Sequence, residues 1–225
     1  HVNYQIQDKL GSGAFGAVYK VYCIEDEKDF AMKCEPVDIK RPSLRREYRS
    51  MRAARLSGSP YFTDYGDRGR DPDRFMFLTM ELVGENLFSI VHKQPSHCFT
   101  TNTACRVAEQ TLAAIRDLHA VSFLHRDIKP PNFAIGRKED GRDNIIYLLD
   151  FGMCKTFRSR EGKLKHNRKA PFRGTQRYAS CGALLGEEQS RKDDIESWFY
   201  MTVEFTMGYV PWNSKVGNST HPVNR

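Results

Sequence analysis

The run His125-Arg126-Asp127-Ile128-Lys129-Pro130-Pro131-Asn132, followed downstream by Asp150-Phe151-Gly152, concentrates groups able to do chemistry. Asp127 can accept the proton of a hydroxyl group and orient its oxygen for in-line attack, a contribution worth on the order of 10²–10⁴ in rate. Asn132 and Asp150 offer hard oxygen ligands of the kind Mg²⁺ prefers. Lys129 can neutralise negative charge on a group in transit. Upstream, Gly11-Ser12-Gly13-Ala14-Phe15-Gly16-Ala17-Val18 fits G-x-G-x-x-G-x-V, whose glycines permit close backbone approach to phosphates. Alone this loop is weak evidence. A plain glycine hairpin fits it, and a dinucleotide-binding turn uses similar spacing, although that turn must open a helix. Here a strand-like run follows Gly16. Lys33, in Ala31-Met32-Lys33, falls on the strand expected beneath the loop, and Glu47 on the helix that follows. A lysine that must hold phosphate oxygens is best fixed by a carboxylate. Singly, Lys33 and Glu47 read as solvated surface charges; their order after the loop argues for a pair. A nucleophile-orienting carboxylate, metal-type oxygens and a phosphate-type loop together would suit phosphoryl transfer driven by positioning and electrostatics.

These groups need a scaffold. Ala17–Tyr22 and Phe30–Cys34 are rich in β-branched and aromatic residues and predict strands, as does 74–82. Pro42-Ser43 predicts a helix start, with Leu44, Tyr48 and Met51 on one face. Val107, Ala108, Thr111, Leu112, Ile115 and Leu118 recur at helical spacing after a Thr100-Thr101-Asn102 cap. Ile195, Trp198, Phe199, Thr202 and Phe205 do so after Asp193-Asp194. Strands precede helices, which predicts an α+β chain with two segregated lobes joined near Glu81 to Glu85.

The 225 residues suit one large domain or a tightly coupled bilobal one. No stretch approaches the roughly 20 apolar residues of a membrane-spanning helix. His1-Val2-Asn3-Tyr4 is not a basic region leading into an apolar run, so no signal peptide is expected, and the absence of an initial Met suggests a fragment boundary. Cys23, Cys34, Cys98, Cys105, Cys154 and Cys181 form no C-x-x-C pair. Reduced thiols in a cytoplasmic or nuclear protein are expected, rather than disulfides or zinc. The net charge of +7 favours acidic partners.

The motif set resembles that of the protein kinase superfamily from Leu10 to the C-terminal end. Within it the sequence is most similar to the casein kinase I group. Lys129-Pro130-Pro131-Asn132-Phe133 resembles that group's catalytic loop, Gly174-Thr175-Gln176-Arg177-Tyr178-Ala179-Ser180 replaces the segment that ends in Ala-Pro-Glu elsewhere, and 188–197 resembles the entry to its central helix. Phe172-Arg173-Gly174-Thr175 and Phe199-Tyr200-Met201 lean towards the tau-tubulin kinase branch. The resemblance implies a bilobal kinase fold, with an N-lobe over 1–82 and a partial C-lobe over 83–225, and a serine/threonine kinase using ATP and Mg²⁺. By this likeness Asp127 is the catalytic base, assisted by Lys129 and Asn132, with Asn132 and Asp150 on the metal. Lys33 meets the α- and β-phosphates and Glu47 pairs with it. Met80 matches the gatekeeper of the adenine pocket, and Glu81 and Val83 its hinge. Leu10, Gly11, Ser12, Gly13, Ala14, Phe15, Gly16, Val18 and Ala31 complete the ATP-binding set. Asp194 matches the aspartate that supports the catalytic loop. Lys129 and Thr175 imply serine/threonine specificity.

Two departures stand out. Phe199 replaces a glycine common in the central helix, and the chain ends soon after Val210-Pro211-Trp212, where the resembled domains continue for several helices. An incomplete, poorly stable domain is therefore expected. Between Lys155 and Arg177 the chain is strongly basic, with Arg158, Arg160, Lys163, Lys165, Arg168, Lys169 and Arg173 between them. A solvated loop accounts for this run. The sharper reading gathers Arg126, Lys155 and Arg177 into an anion site favouring acidic or pre-phosphorylated protein substrates. No interleaved aromatic pattern points to nucleic acid, and no membrane partner is expected. The rivals are a pseudokinase binding module, disfavoured because Lys33, Glu47, Asp127, Asn132 and Asp150 are all present, and a small-molecule phosphotransferase, which lacks the 174–180 run.

Overall fold

The computed structural model describes residues 2–13, 16–40, 42–71, 74–159, 161–165 and 172–212. Ala14 and Phe15 of the glycine loop, and Arg160, Arg168 and Lys169 of the basic run, lie outside them. The first half is an antiparallel sheet of β1 (Tyr4–Gly13), β2 (Gly16–Cys23), β3 (Lys28–Pro36), β4 (Tyr65–Arg70) and β5 (Phe75–Glu81), in the order β1-β2-β3-β5-β4. The strands expected at 17–22, 30–34 and 74–82 fall within or on β2, β3 and β5. The register sets Lys33 opposite Val18 on one side and Leu78 on the other. Helix α1 (Leu44–Leu56) covers the sheet, burying Leu44, Met51 and Ala54. Its start is fixed from a distance. The buried Glu35 carboxylate on β3 accepts the Ser43 N–H at 2.6 Å, the Ser43 hydroxyl at 2.8 Å and the Leu44 N–H at 3.2 Å. A carboxylate there satisfies open N–H groups and complements the helix dipole.

The second half is helical, as expected for the α+β bilobal class. Short α2 (Leu87–His92) leads to α3 (Thr101–Ala120), whose Thr100 hydroxyl accepts the Thr103 N–H at 3.3 Å. Of the predicted stripe, Val107, Thr111, Ile115 and Leu118 are buried in the core, whereas Ala108 and Leu112 are half-buried at its edge. Two small antiparallel pairs follow, β6 (Phe123–Leu124) with β9 (Lys155–Thr156), and β7 (Phe133–Ile135) with β8 (Ile146–Leu148). A one-turn helix α4 (Cys181–Leu184) precedes α5 (Arg191–Met207), where Asp193 accepts the Ser190 N–H at 2.7 Å. The α5 face differs from the predicted one. Met201 and Phe205 are fully buried beside Asp194 and Glu204, whereas Ile195 is 36% and Phe199 57% exposed. Polar anchoring by Asp194 and Glu204, described below, sets the rotation of α5 and turns Phe199 outward. No helix among the described residues is long and apolar enough to cross a membrane.

Candidate active site

A cleft of about 530 Å³ opens between the two halves. Leu10, Gly11, Ser12, Gly13, Gly16 and Val18 form its roof, and Ala31, Lys33 and Glu47 its inner wall. Met80, Glu81 and Val83 line the connection between the lobes, and Asn132 and Asp150 the floor. Of the ATP-binding residues predicted from the sequence, all but the undescribed Ala14 and Phe15 border this one space. Leu82, Gly84, Glu85, Asn86, Pro131, Ala134 and Leu149 also line it and were not predicted. Proximity in sequence to Val83, Asn132 and Asp150 is the signal that could have found them. The Glu81 side chain turns away from the floor and reaches Arg142 at 2.5 Å, tying the connection to the loop between β7 and β8.

Lys33 joins the lobes. Its ammonium lies 2.7 Å from Glu47 Oε2 on α1 and 2.8 Å from Asp150 Oδ1 after β8. Burial acts against its charge, but the two carboxylates outweigh burial and raise its pKa. Burial likewise works against the Asp150 carboxylate, and Lys33 outweighs it, holding Asp150 below the ordinary value. Glu47 is completely buried, which raises its pKa against the pull of Lys33. Lys33 thus favours the charged form of both carboxylates, prevailing over burial at Asp150 but not at the fully enclosed Glu47.

The catalytic-loop residues hang between the small pairs. β6 ends at Leu124 and the loop begins at His125; Asn132 directly precedes β7, and Asp150 lies two residues past β8. Asp194 of α5 holds the loop's entry. Its carboxylate accepts the N–H groups of His125 and Arg126, each at 2.8 Å, and meets His119 Nε2 at 2.8 Å. Arg126 has φ of 69°, a left-handed conformation that a non-glycine residue keeps only when its surroundings enforce it. His125 is buried, its Nδ1 accepting the Asp127 N–H at 3.3 Å and its Nε2 donating to Leu149 O at 3.0 Å. Asp150 is left-handed too, at φ 59°.

Asp127 sits at the centre. Its Oδ2 is 2.7 Å from Lys129 Nζ, and its Oδ1 accepts the Thr175 N–H and hydroxyl, both at 3.0 Å. Lys129 also donates to Thr175 Oγ1 at 2.9 Å. Gly174, at φ +123°, lets this segment close in, since a Cβ there would lie 3.1 Å from Arg126 O and 3.3 Å from Asp127 Oδ1. Asn132 donates to Asp127 O at 2.7 Å, and its own amide oxygen takes no hydrogen bond among the described residues.

The predicted anion site needs a correction. Lys155 follows directly from the β6–β9 pairing, opposite Leu124, and Arg126 lies close enough to it that burial first, then Arg126, lower the Lys155 pKa. Arg46 and Arg173 add like charge at Arg126, whose pKa is lowered chiefly by burial. Arg177 does not join them. Its guanidinium pairs with the buried Glu204 of α5, which also accepts the Tyr178 hydroxyl. A carboxylate in α5 was within reach, and charge density alone did not reveal it.

The sequence matches the family model described as protein kinase domain over residues 4–225. It is 37% identical over 205 residues to a probable serine/threonine-protein kinase of Dictyostelium discoideum, covering 91% of this chain and 41% of that protein. Serine/threonine-protein kinase spe-6 of Caenorhabditis elegans is 34% identical over 221 residues, covering 97% of this chain and 57% of that protein. Casein kinase I homolog 2 of Schizosaccharomyces pombe is 33% identical over 227 residues, covering 98% and 50%. The chain thus spans about half the length of the curated relatives it matches. With the motif order, the two-lobed fold and these matches in agreement, the chain belongs to the protein kinase domain family and, within it, to the casein kinase I group.

Proposed function

We propose that the chain carries serine/threonine protein kinase activity, moving the γ-phosphoryl group of ATP to protein serine or threonine hydroxyls. The observation that carries this reading is the convergence of Asp127, Lys129 and Thr175 within hydrogen-bond distance, a cleft's width from the Lys33–Glu47–Asp150 ion pairs. Lys33 presents a fixed ammonium to phosphate oxygens, and Glu47 keeps it in place. Asp127 accepts and orients the substrate hydroxyl, while Lys129 neutralises charge as the phosphoryl group moves. Val83 has no peptide hydrogen bond among the described residues, so its N–H and C=O suit an adenine edge.

The donor set fits Mg²⁺. Among the described residues the Asn132 amide oxygen has no hydrogen-bond partner, its amide being oriented by the Nδ2 bond to Asp127 O, and Asp150 supplies a carboxylate held below its ordinary pKa. Among the described residues no group of three or more His, Cys, Asp or Glu gathers as a metal site. An ion that takes one or two protein oxygens plus phosphate oxygens needs none. When bound, Mg²⁺ neutralises charge between the phosphates.

We extend the reading to substrates that are acidic or already phosphorylated, held by Arg126 and Lys155, and to the tau-tubulin kinase branch on the strength of 172–175 and 199–201. A cytoplasmic or nuclear setting suits the six free thiols. The test is Asp127→Asn. Turnover should fall on the order of 10²–10⁴, with nucleotide affinity and melting temperature retained. Turnover within about threefold of the parent, far below that general-base contribution, would remove Asp127 from the mechanism.

A further inference from the structure

Outside the cleft, the outer face of α1 and the neighbouring β4 enclose a second concavity of about 470 Å³. Its rim is cationic. Helix α1 carries Arg45, Arg46, Arg49, Arg52 and Arg55. Two of these are engaged: Arg46 donates to Gly152 O at 2.7 Å, and Arg55 pairs with Asp64. Arg45, Arg49 and Arg52, spaced i, i+4 and i+7 on one face, have no hydrogen bond or ion pair among the described residues. Arg68 enters from β4, its guanidinium 4.0 Å from the centroid of the Tyr48 ring, which is itself held edge-on by Tyr65 at 5.2 Å. Leu56, at 79% exposed, lies at the end of the groove.

An exposed row of arginines is ordinarily a solvated helix face. This one differs because cations from two elements converge on a hollow, with no carboxylate among the described residues that line it and an apolar side chain at one end. Like charges four residues apart on a helix destabilise it, so the arrangement gains from an anionic occupant. From Arg45 to Arg52 the helix rises about 10.5 Å at 1.5 Å per residue. That equals about three residues of extended chain at roughly 3.3 Å each, so two carboxylates on alternate residues, about 6.6 Å apart, would reach two of the three guanidinium groups, a pairing that arginine makes bidentately. A nucleic-acid strand fits less well, because Arg68 already covers the one ring in the groove that could stack a base. Glu47 lies on the opposite face of α1, engaged with Lys33, so this groove is separate from the nucleotide cleft.

We propose that the α1–β4 groove docks an acidic, extended segment of another protein, with an apolar side chain of that segment against Leu56. The test is fluorescence anisotropy of a labelled, extended Asp/Glu peptide carrying one leucine, at low and physiological salt. The parent protein should bind it, and Arg49→Glu combined with Arg52→Glu should weaken binding by on the order of tenfold or more, as loss of charge-assisted contacts requires. Lys155→Ala should bind as the parent does, which separates this groove from the substrate anion site. The double variant should keep its melting temperature and its turnover on a short neutral peptide. If the glutamates disturb folding, Arg49→Gln with Arg52→Gln gives the same comparison. No binding by the parent, equal binding by the variants, or tighter binding of a single-stranded oligonucleotide lost on the same substitutions would each overturn the proposal.

Discussion

Replacing Asp194 by asparagine changes a single heavy atom, yet it should cripple the site. The carboxylate serves three donors: Oδ1 takes the Arg126 N–H, and Oδ2 takes the His125 N–H and His119 Nε2, all at 2.8 Å. Asparagine keeps only one oxygen. If that oxygen stays on the Oδ2 side, Arg126 N–H faces an amide NH₂; in the other flip, two donors do. The cheaper flip loses one charge-assisted bond, about 1.5–3 kcal/mol, and weakens two others that become neutral. A total of about 2–4 kcal/mol follows, against a domain stability of roughly 5–15 kcal/mol. At about 2–4 °C per kcal/mol for a chain of this size, the melting temperature should fall by about 4–16 °C. Turnover should fall further than stability. The left-handed Arg126 is enforced by these bonds, and a loop displaced by about 1 Å can lose on the order of 10²-fold in rate. Calorimetric melting and ATP turnover on a protein acceptor, with the surface variant Asp140→Asn as control, measure both effects. A melting temperature within about 2 °C of the parent, together with turnover within about threefold, would refute the assignment, since neither the lost bond nor the loop shift would then exist.

Gly16 has φ +141° and a Cβ there would sit 2.0 Å from Cys34 O, whereas a Cβ on Gly11 meets nothing within 4 Å. Gly16→Ala should therefore lower the melting temperature, while Gly11→Ala should leave it unchanged and weaken ATP binding; unaltered nucleotide affinity in Gly11→Ala would argue against phosphate contact by the loop. Asp150 has an ordinary pKa of 3.8, which burial would raise but Lys33 holds below that value. A depressed carboxylate contributes stability above its unfolded pKa and loses it as pH falls through the folded one, so Asp150→Asn should flatten the fall in melting temperature below about pH 4. Lys33, raised above 10.5, keeps its charge across this window and does not set the acid limb. Glu204→Gln should lower the melting temperature by unpairing Arg177 and Tyr178. It should also raise kcat/KM on a phosphorylated peptide relative to an unphosphorylated one, as Arg177 becomes available; an unchanged ratio would mean that Arg177 is purely structural.

The residues legible in the sequence share one property: their chemistry fixes both type and near neighbours. Asp127, Lys129 and Asn132 lie on one short loop between β6 and β7, and Asp150 lies two residues past β8, the strand paired with β7. Spacing along the chain therefore stands for spacing in the site. Lys33 and Glu47 were legible by order, because a strand and the helix after it need only one turn between them. Strand β4 was not. Tyr65-Gly66-Asp67-Arg68-Gly69-Arg70 alternates burial at the sheet edge without large apolar side chains, and only pairing with β5 makes it a strand.

What stayed hidden were carboxylates whose partners are distant in sequence. Glu35 reads as one more charge at the end of a strand, yet it starts α1 and so sets the position of Glu47. Glu204 reads as a polar interruption in an apolar helix, yet it captures an arginine 27 residues earlier and engages the Arg177 guanidinium within the fold. Each is a buried charge, expensive unless paired, and the pairing is a property of the fold rather than of any local run. The basic residues illustrate the same point from the other sign. Arg46, Arg55 and Arg177 are engaged by Gly152 O, Asp64 and Glu204, while Arg45, Arg49 and Arg52 have no such partner among the described residues. Composition counts these arginines alike. Only the fold separates those already engaged from those left without a partner among the described residues, and the latter are the ones whose charge a second molecule can satisfy.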